Sequence, residues 1–144
     1  MKFAGQLASC LIAICLLLSA APALAEEVTP PVVVTPVMKS AVTATGQPIQ
    51  LPQKDAEVQV STYDIPPGAK LPVHKHPFPR YAYVLSGRIE VTNTEAGTVA
   101  IYETGGFIIE AVGQWHKASN IGTEPVKLLV IDMIEAGQNN VVKQ

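Results

Sequence analysis

The sequence predicts an all-β fold, an antiparallel barrel or sandwich, on three observations. From Glu57 onward, short runs of β-forming residues alternate with turn signals at close, even spacing. No segment shows the 3.6-residue period of an amphipathic helix. The stretch from Val28 to Pro52 carries Pro30, Pro31, Pro36, Pro48 and Pro52, and each proline removes a backbone donor and restricts its predecessor, so no helix forms there.

In order along the chain, residues 1–25 read as a secretory signal peptide. Lys2 gives a positive start, Leu7 to Leu18 an apolar core broken only by Ser9, and Ala23-Leu24-Ala25 a small-x-small cleavage site. The apolar run is short for a membrane span. This places the mature protein in a bacterial periplasm or outside the cell. Both cysteines, Cys10 and Cys15, lie within this segment, which leaves the mature chain without disulfide or thiolate chemistry. Without Lys2 the ten basic residues become nine against twelve acidic, a net charge of −3 with no block of like charges. A nucleic-acid partner would call for a basic stripe, and none is present.

Residues 26–46 form a Pro/Val/Thr-rich segment, either an extended tether or edge strands at Val32 to Val34 and Val37-Met38. Glu57 to Ile65 alternates as a strand and ends at the turn Pro66-Pro67-Gly68. Strands follow at Leu71 to His76, Arg80 to Leu85, Arg88 to Thr92, Thr98 to Tyr102, Phe107 to Ile109, Trp115 to Ala118 and Val126 to Ile134, separated by glycine turns. Gly87 and Gly113 read as turn residues. Residues 137–144 read as a flexible tail.

The three histidines carry the chemistry. His74 and His76 are two apart, so on a strand they share a face. Leu71, Val73 and Lys75 are expected on the other. His116 lies forty residues on, in another strand. Two ligands from one strand and a third from a distant one can clamp a metal inside a barrel. Ala82 and Val84 share Arg80's face and should line the interior, whereas Tyr81, Tyr83 and Trp115 should face outward, toward packing or a dimer interface.

The run from Gly68 through His74, His76 and Arg80 to Gly87 resembles the first motif of the cupin superfamily: glycine, five residues, His-x-His, three or four residues, glutamate, six residues, glycine. The run from Gly105 through Ala111, Gly113 and His116 to Asn120 resembles the second: glycine, five residues, Pro-x-Gly, two residues, histidine, three residues, asparagine. The resemblance covers residues 47–136 and implies a cupin-type double-stranded β-helix, or jelly roll, with His74, His76 and His116 as metal ligands. Two positions depart from the motifs. Ala111 replaces the proline, and Arg80 replaces the glutamate that commonly gives cupins an oxygen ligand.

Three neutral nitrogens suit Fe, Zn, Ni or Cu, with Mn also possible, over Mg and Ca. The likeness to three-histidine cupin dioxygenases favours iron and implies oxidation of a small, oxygen-chelating substrate, acidic or enolate-like. The other reading is a non-catalytic module that binds or senses a small molecule or metal. Arg80 is a candidate clamp for a substrate carboxylate, or an arginine swung to the barrel mouth and paired with Glu110 or solvent. Glu110 is a candidate acid/base or histidine partner, against the plainer expectation of a solvated strand-end carboxylate. Strand exchange through Val32 to Val37 would give a homodimer.

Overall fold

A computed structural model describes residues 29–144. The signal peptide read at 1–25 lies outside the described residues. Residues 29–33 group with the N-terminal unit, and residues 34–144 form the second. Val32, Val33 and Val34 are exposed and belong to no strand, and neither do Val37 and Met38. Of the two readings of this segment, tether or edge strands, the edge strands do not form. Instead, among the described residues, backbone pairing begins at a small hairpin where Val42 bridges Pro48 and the Ala44 amide donates to the Ile109 carbonyl. Packing against the barrel thus starts a few residues before the expected boundary at 47.

Nine strands are present among the described residues, and no helix. They are β1 (Ala56–Ile65), β2 (Lys70–Lys75), β3 (Arg80–Ser86), β4 (Arg88–Asn93), β5 (Thr98–Glu103), β6 (Phe107–Ile109), β7 (His116–Asn120), β8 (Val126–Glu135) and β9 (Val142–Lys143). Two antiparallel sheets result, ordered β1-β8-β3-β6 and β5-β4-β7-β2-β9. Eight of these strands correspond to the runs expected from the sequence. The ninth corrects it: residues 137–144 are no loose tail, because β9 pairs with β2 and Asn140 is buried.

The inward residues form two layers. Ile65, Val84, Ile89, Ala118, Val126 and Leu128 fill one end with close-packed apolar side chains. Further along the same strands the inward positions turn polar. On β8, Val126, Leu128 and Val130 lead to Asp132; on β3, Val84 and Ala82 lead to Arg80; on β7, Ala118 precedes His116. The two-residue period of a strand thus sets the polar layer directly on the core.

Turn chemistry holds the layers in register. Gly87 joins β3 to β4 at φ +86°, and a Cβ there would meet the Pro125 carbonyl and Val126 at 2.8 Å. Only glycine fits. Asn120, the last residue of the second motif, donates to the carbonyls of Ile65 and Glu124 at 2.9 and 2.8 Å and ties β7 to the chain entering β8.

Candidate metal centre

β2 does not run straight. Its pairing with β7 slips between Leu71 and His74, so Leu71 packs on the core although it is an odd number of residues from His74. The expectation that Leu71 lies on the face opposite His74 therefore fails. The local cause is Pro72, which has no amide to give the ladder and sits where the bulge forms. The bulge also turns the Pro72 carbonyl toward the His74 ring, which donates from Nδ1 at 2.7 Å.

The other two imidazoles are held in the same way. His76, just past the end of β2, directs Nδ1 at the Asn140 carbonyl at 2.5 Å, and His116 directs Nδ1 at the Gln114 carbonyl at 2.9 Å. A carbonyl only accepts, so each Nδ1 carries the proton and each Nε2 presents a lone pair. His74 and His116 face each other across the β2–β7 pairing. The ring centroids stand 4.4 Å apart for His74–His116 and 4.9 Å for each of the other two pairs. One ligating atom from each lies within 4.8 Å of the others. Nε2 of His76 and of His116 is buried without a hydrogen-bond partner. Lone pairs left facing one another out of water are costly unless a cation joins them, so the donor set fits a transition metal.

Burial disfavours the charged form of His74 and His76. It lowers both, and His76 falls to about 4. The two imidazoles are neutral ligands at neutral pH. For His116, burial acts the same way but is outweighed by Glu110, whose carboxylate raises it. Glu110 Oε2 lies 3.1 Å from His116 Nε2, without the alignment of a hydrogen bond. Glu110 is thus not the solvated strand-end carboxylate expected. Burial pushes its carboxyl up, but His116, His76 and Arg80 together hold it below its usual range.

Arg80 also departs from expectation. Neither swung to the mouth nor paired with Glu110, it is buried and grips Asp132, with Nε to Oδ1 at 2.7 Å and Nη2 to Oδ2 at 2.8 Å. A fork engaged in this way is not free to clamp a substrate carboxylate. Asp132 also accepts from the Asn140 side-chain amide, and the Asn140 oxygen accepts from the Phe78 amide at 2.8 Å. Asp132 and Asn140 were missed in the sequence. Asp132 had a signal, since it interrupts the apolar run Val126 to Ile134 at the parity of its buried members. Asn140 had none, because it lies outside both motifs. The outward aromatics are as expected: Tyr81 stacks on Phe107 at 6.3 Å, and the Lys75 ammonium sits 4.6 Å from the Trp115 ring.

Space at the centre is limited. A cavity of about 30 Å³ touches His74, His116, Arg80 and Glu110 among apolar walls. A second, of about 200 Å³, reaches Glu110 and His116 past Asn93 and Tyr102. Another, of about 420 Å³, lies among Pro48, Pro52, Phe78 and Pro79 and touches none of the histidines.

The family model for the cupin domain matches residues 61–132, half of the chain. The chain belongs to the cupin family. Solved structures agree on the fold. The cupin domain of Schizosaccharomyces pombe Cnp3 is 26% identical over 59% of this chain and 61% of that one, with a TM-score of 0.51. The DMSP lyase DddQ from Ruegeria pomeroyi is 20% identical over 63% of this cupin and 44% of its own chain, TM-score 0.53. The polyketide cyclase RemF from Streptomyces resistomycificus is 20% identical over 64% of each chain, TM-score 0.52. This cupin spans less than two thirds of each of these proteins. No curated protein matches it.

Proposed function

We propose that this cupin is an exported mononuclear metalloprotein, in which His74, His76 and His116 hold a divalent transition metal, iron before Zn, Ni, Cu or Mn, and which oxidises a small oxygen-bearing substrate. One observation carries the reading: three imidazoles converge with every Nδ1 committed to a backbone carbonyl, and two of the three Nε2 atoms are buried without a partner.

Bound iron would supply Lewis acidity and one-electron chemistry at this point. The protein's own residues do the rest. The carbonyls of Pro72, Gln114 and Asn140 fix the ring planes. Burial keeps His74 and His76 unprotonated and ready to ligate. Apolar walls at Leu71, Ile108 and Val130 exclude bulk water. Tyr102 lines the 200 Å³ cavity and offers a hydroxyl to orient a small molecule beside Glu110.

A non-catalytic binding or sensing role is the second reading. It is favoured by the small size, about 30 Å³, of the cavity that touches His74 and His116 together, room for about one water. Dioxygen uptake by the loaded protein, against mere retention of a ligand, separates the two. A homodimer through the outer face of the β1-β8-β3-β6 sheet belongs to the same proposal, because Val58 and Val60 are exposed there beside Ile131 and Met133.

The test is elemental analysis of tag-free mature protein beside a His74→Ala/His116→Ala control. Near-stoichiometric iron, lost in the control, supports the oxidative reading. Zinc or nickel supports a hydrolytic, isomerising or binding role. No metal in either sample after reconstitution overturns the centre.

A further inference from the structure

We infer that Glu110 is a fourth ligand of the metal, a carboxylate moved one strand sideways from position 80, where the first cupin motif has its glutamate. The inference rests on the metal reading above and concerns which atoms complete it.

Register places the two positions together. β3 pairs with β6 through Tyr81–Ile109, and the Glu110 amide donates to the Arg80 carbonyl at 3.0 Å. Arg80 and Glu110 are therefore neighbours on adjacent segments, both directed into the polar layer. The exchange moves the carboxylate along that layer, not out of it.

Distance gives the second argument. Bonds from a transition metal to imidazole nitrogen or carboxylate oxygen are about 2.1 Å, so two ligands of one ion, at angles between octahedral and tetrahedral, stand about 3.0–3.4 Å apart. Glu110 Oε2 and His116 Nε2 stand 3.1 Å apart. The Nδ1 proton of His116 is already given to Gln114, so Nε2 and Oε2 meet as two electron-pair donors. The missing hydrogen-bond alignment favours a shared metal ion there over a proton, with the carboxylate set against the His116 side of the three-histidine cluster.

Charge gives the third. Arg80 is the cation nearest in sequence register, and Asp132 takes it in a two-bond fork. That pair closes on itself. Among the described residues Glu110 makes no ion pair with a lysine or arginine, and its one close charged partner is His116. Its negative charge is left for the ion. A three-nitrogen, one-carboxylate set extends the site toward the harder ion Mn(II), which three neutral imidazoles alone hold less well than they hold iron or zinc.

The experiment is Mn(II) and Zn(II) titration of the full chain and of Glu110→Gln, with the visible spectrum of Co(II) recorded in both. Loss of about 100-fold or more in Mn(II) affinity, a smaller loss for Zn(II), and altered Co(II) bands are the expected result. Mn(II) affinity within about threefold of wild type and an unchanged Co(II) spectrum would overturn the assignment while leaving the three-histidine centre standing. Failure of the wild type to take up Zn(II), Co(II) or Mn(II) overturns the centre itself and this ligand with it. Should Glu110→Gln lose its circular-dichroism signature, the infrared difference spectrum of the wild type on adding Mn(II) decides instead. A shifted carboxylate stretch supports the ligand, and its absence removes it.

Discussion

Arg80 and Asp132 face each other across the β3–β8 pairing with both charges out of water. Such a pair adds little net stability over an apolar one, but removing a single partner leaves an uncompensated charge in the interior. Asp132→Asn is expected to cost about 3–5 kcal/mol in urea unfolding. The double change Arg80→Met/Asp132→Leu should recover most of it; a double variant as weak as the single would contradict this account. Protonation of the histidines gives a second test at this scale. The folded value of His76, about 4, lies below the 6.5 of the free side chain. The unfolded chain therefore binds more protons between those values, and stability rises with pH across the window. The contribution is complete above pH 6.5 and is lost as pH falls toward 4. From His76 alone, metal-free protein should lose on the order of 3 kcal/mol over that range, and His76→Gln should flatten the slope. The three histidines were legible in the sequence because spacing alone places them. The fates of Arg80 and Glu110 were not, because each depends on what a neighbouring strand sets opposite it, and Asp132 is fifty-two residues from Arg80.

Two elements carry more than their length suggests. The turn at Gly87 combines a positive φ with backbone at 2.8 Å from any added Cβ, so Gly87→Ala should destabilise by about 2–4 kcal/mol, read as a lower midpoint in urea. The segment ending in β9 ties three parts of the polar layer together through Asn140: the His76 ring, the Asp132 carboxylate and the Phe78 amide. Asn140→Ala keeps the carbonyl but strands the other two partners. A loss of about 1–3 kcal/mol is expected by thermal unfolding, whereas a change below about 0.5 kcal/mol would mean the latch carries no weight. Strand positions were legible because alternation and glycine turns mark them. The bulge at Pro72 and the pairing of β9 were not. A bulge shifts parity without changing composition, and a two-residue strand is below the length at which periodicity can speak.

At the scale of the molecule, the fold class was legible from spacing and turn residues. The division of the interior into an apolar end and a polar end became visible only once inward parity was known for β3, β7 and β8 together. The outer face of the β1-β8-β3-β6 sheet bears on assembly. Sedimentation velocity at micromolar concentration should report the proposed dimer, and Val60→Lys, which puts a charge on that face, should shift it to monomer. A wild-type monomer would remove the dimer.

Time is the remaining consequence of the architecture. β1 pairs along its whole length with β8, joining residues from 61 positions apart, Ile65 with Val126, to 79 positions apart, Ala56 with Glu135. Closing loops of that size costs entropy before any contact repays it. Refolding should take about milliseconds to seconds, not microseconds, in stopped-flow fluorescence of the single tryptophan, Trp115. The pace of the barrel is then set by how long its first and eighth strands need to meet, and the histidines gather in an enclosed interior only after they have.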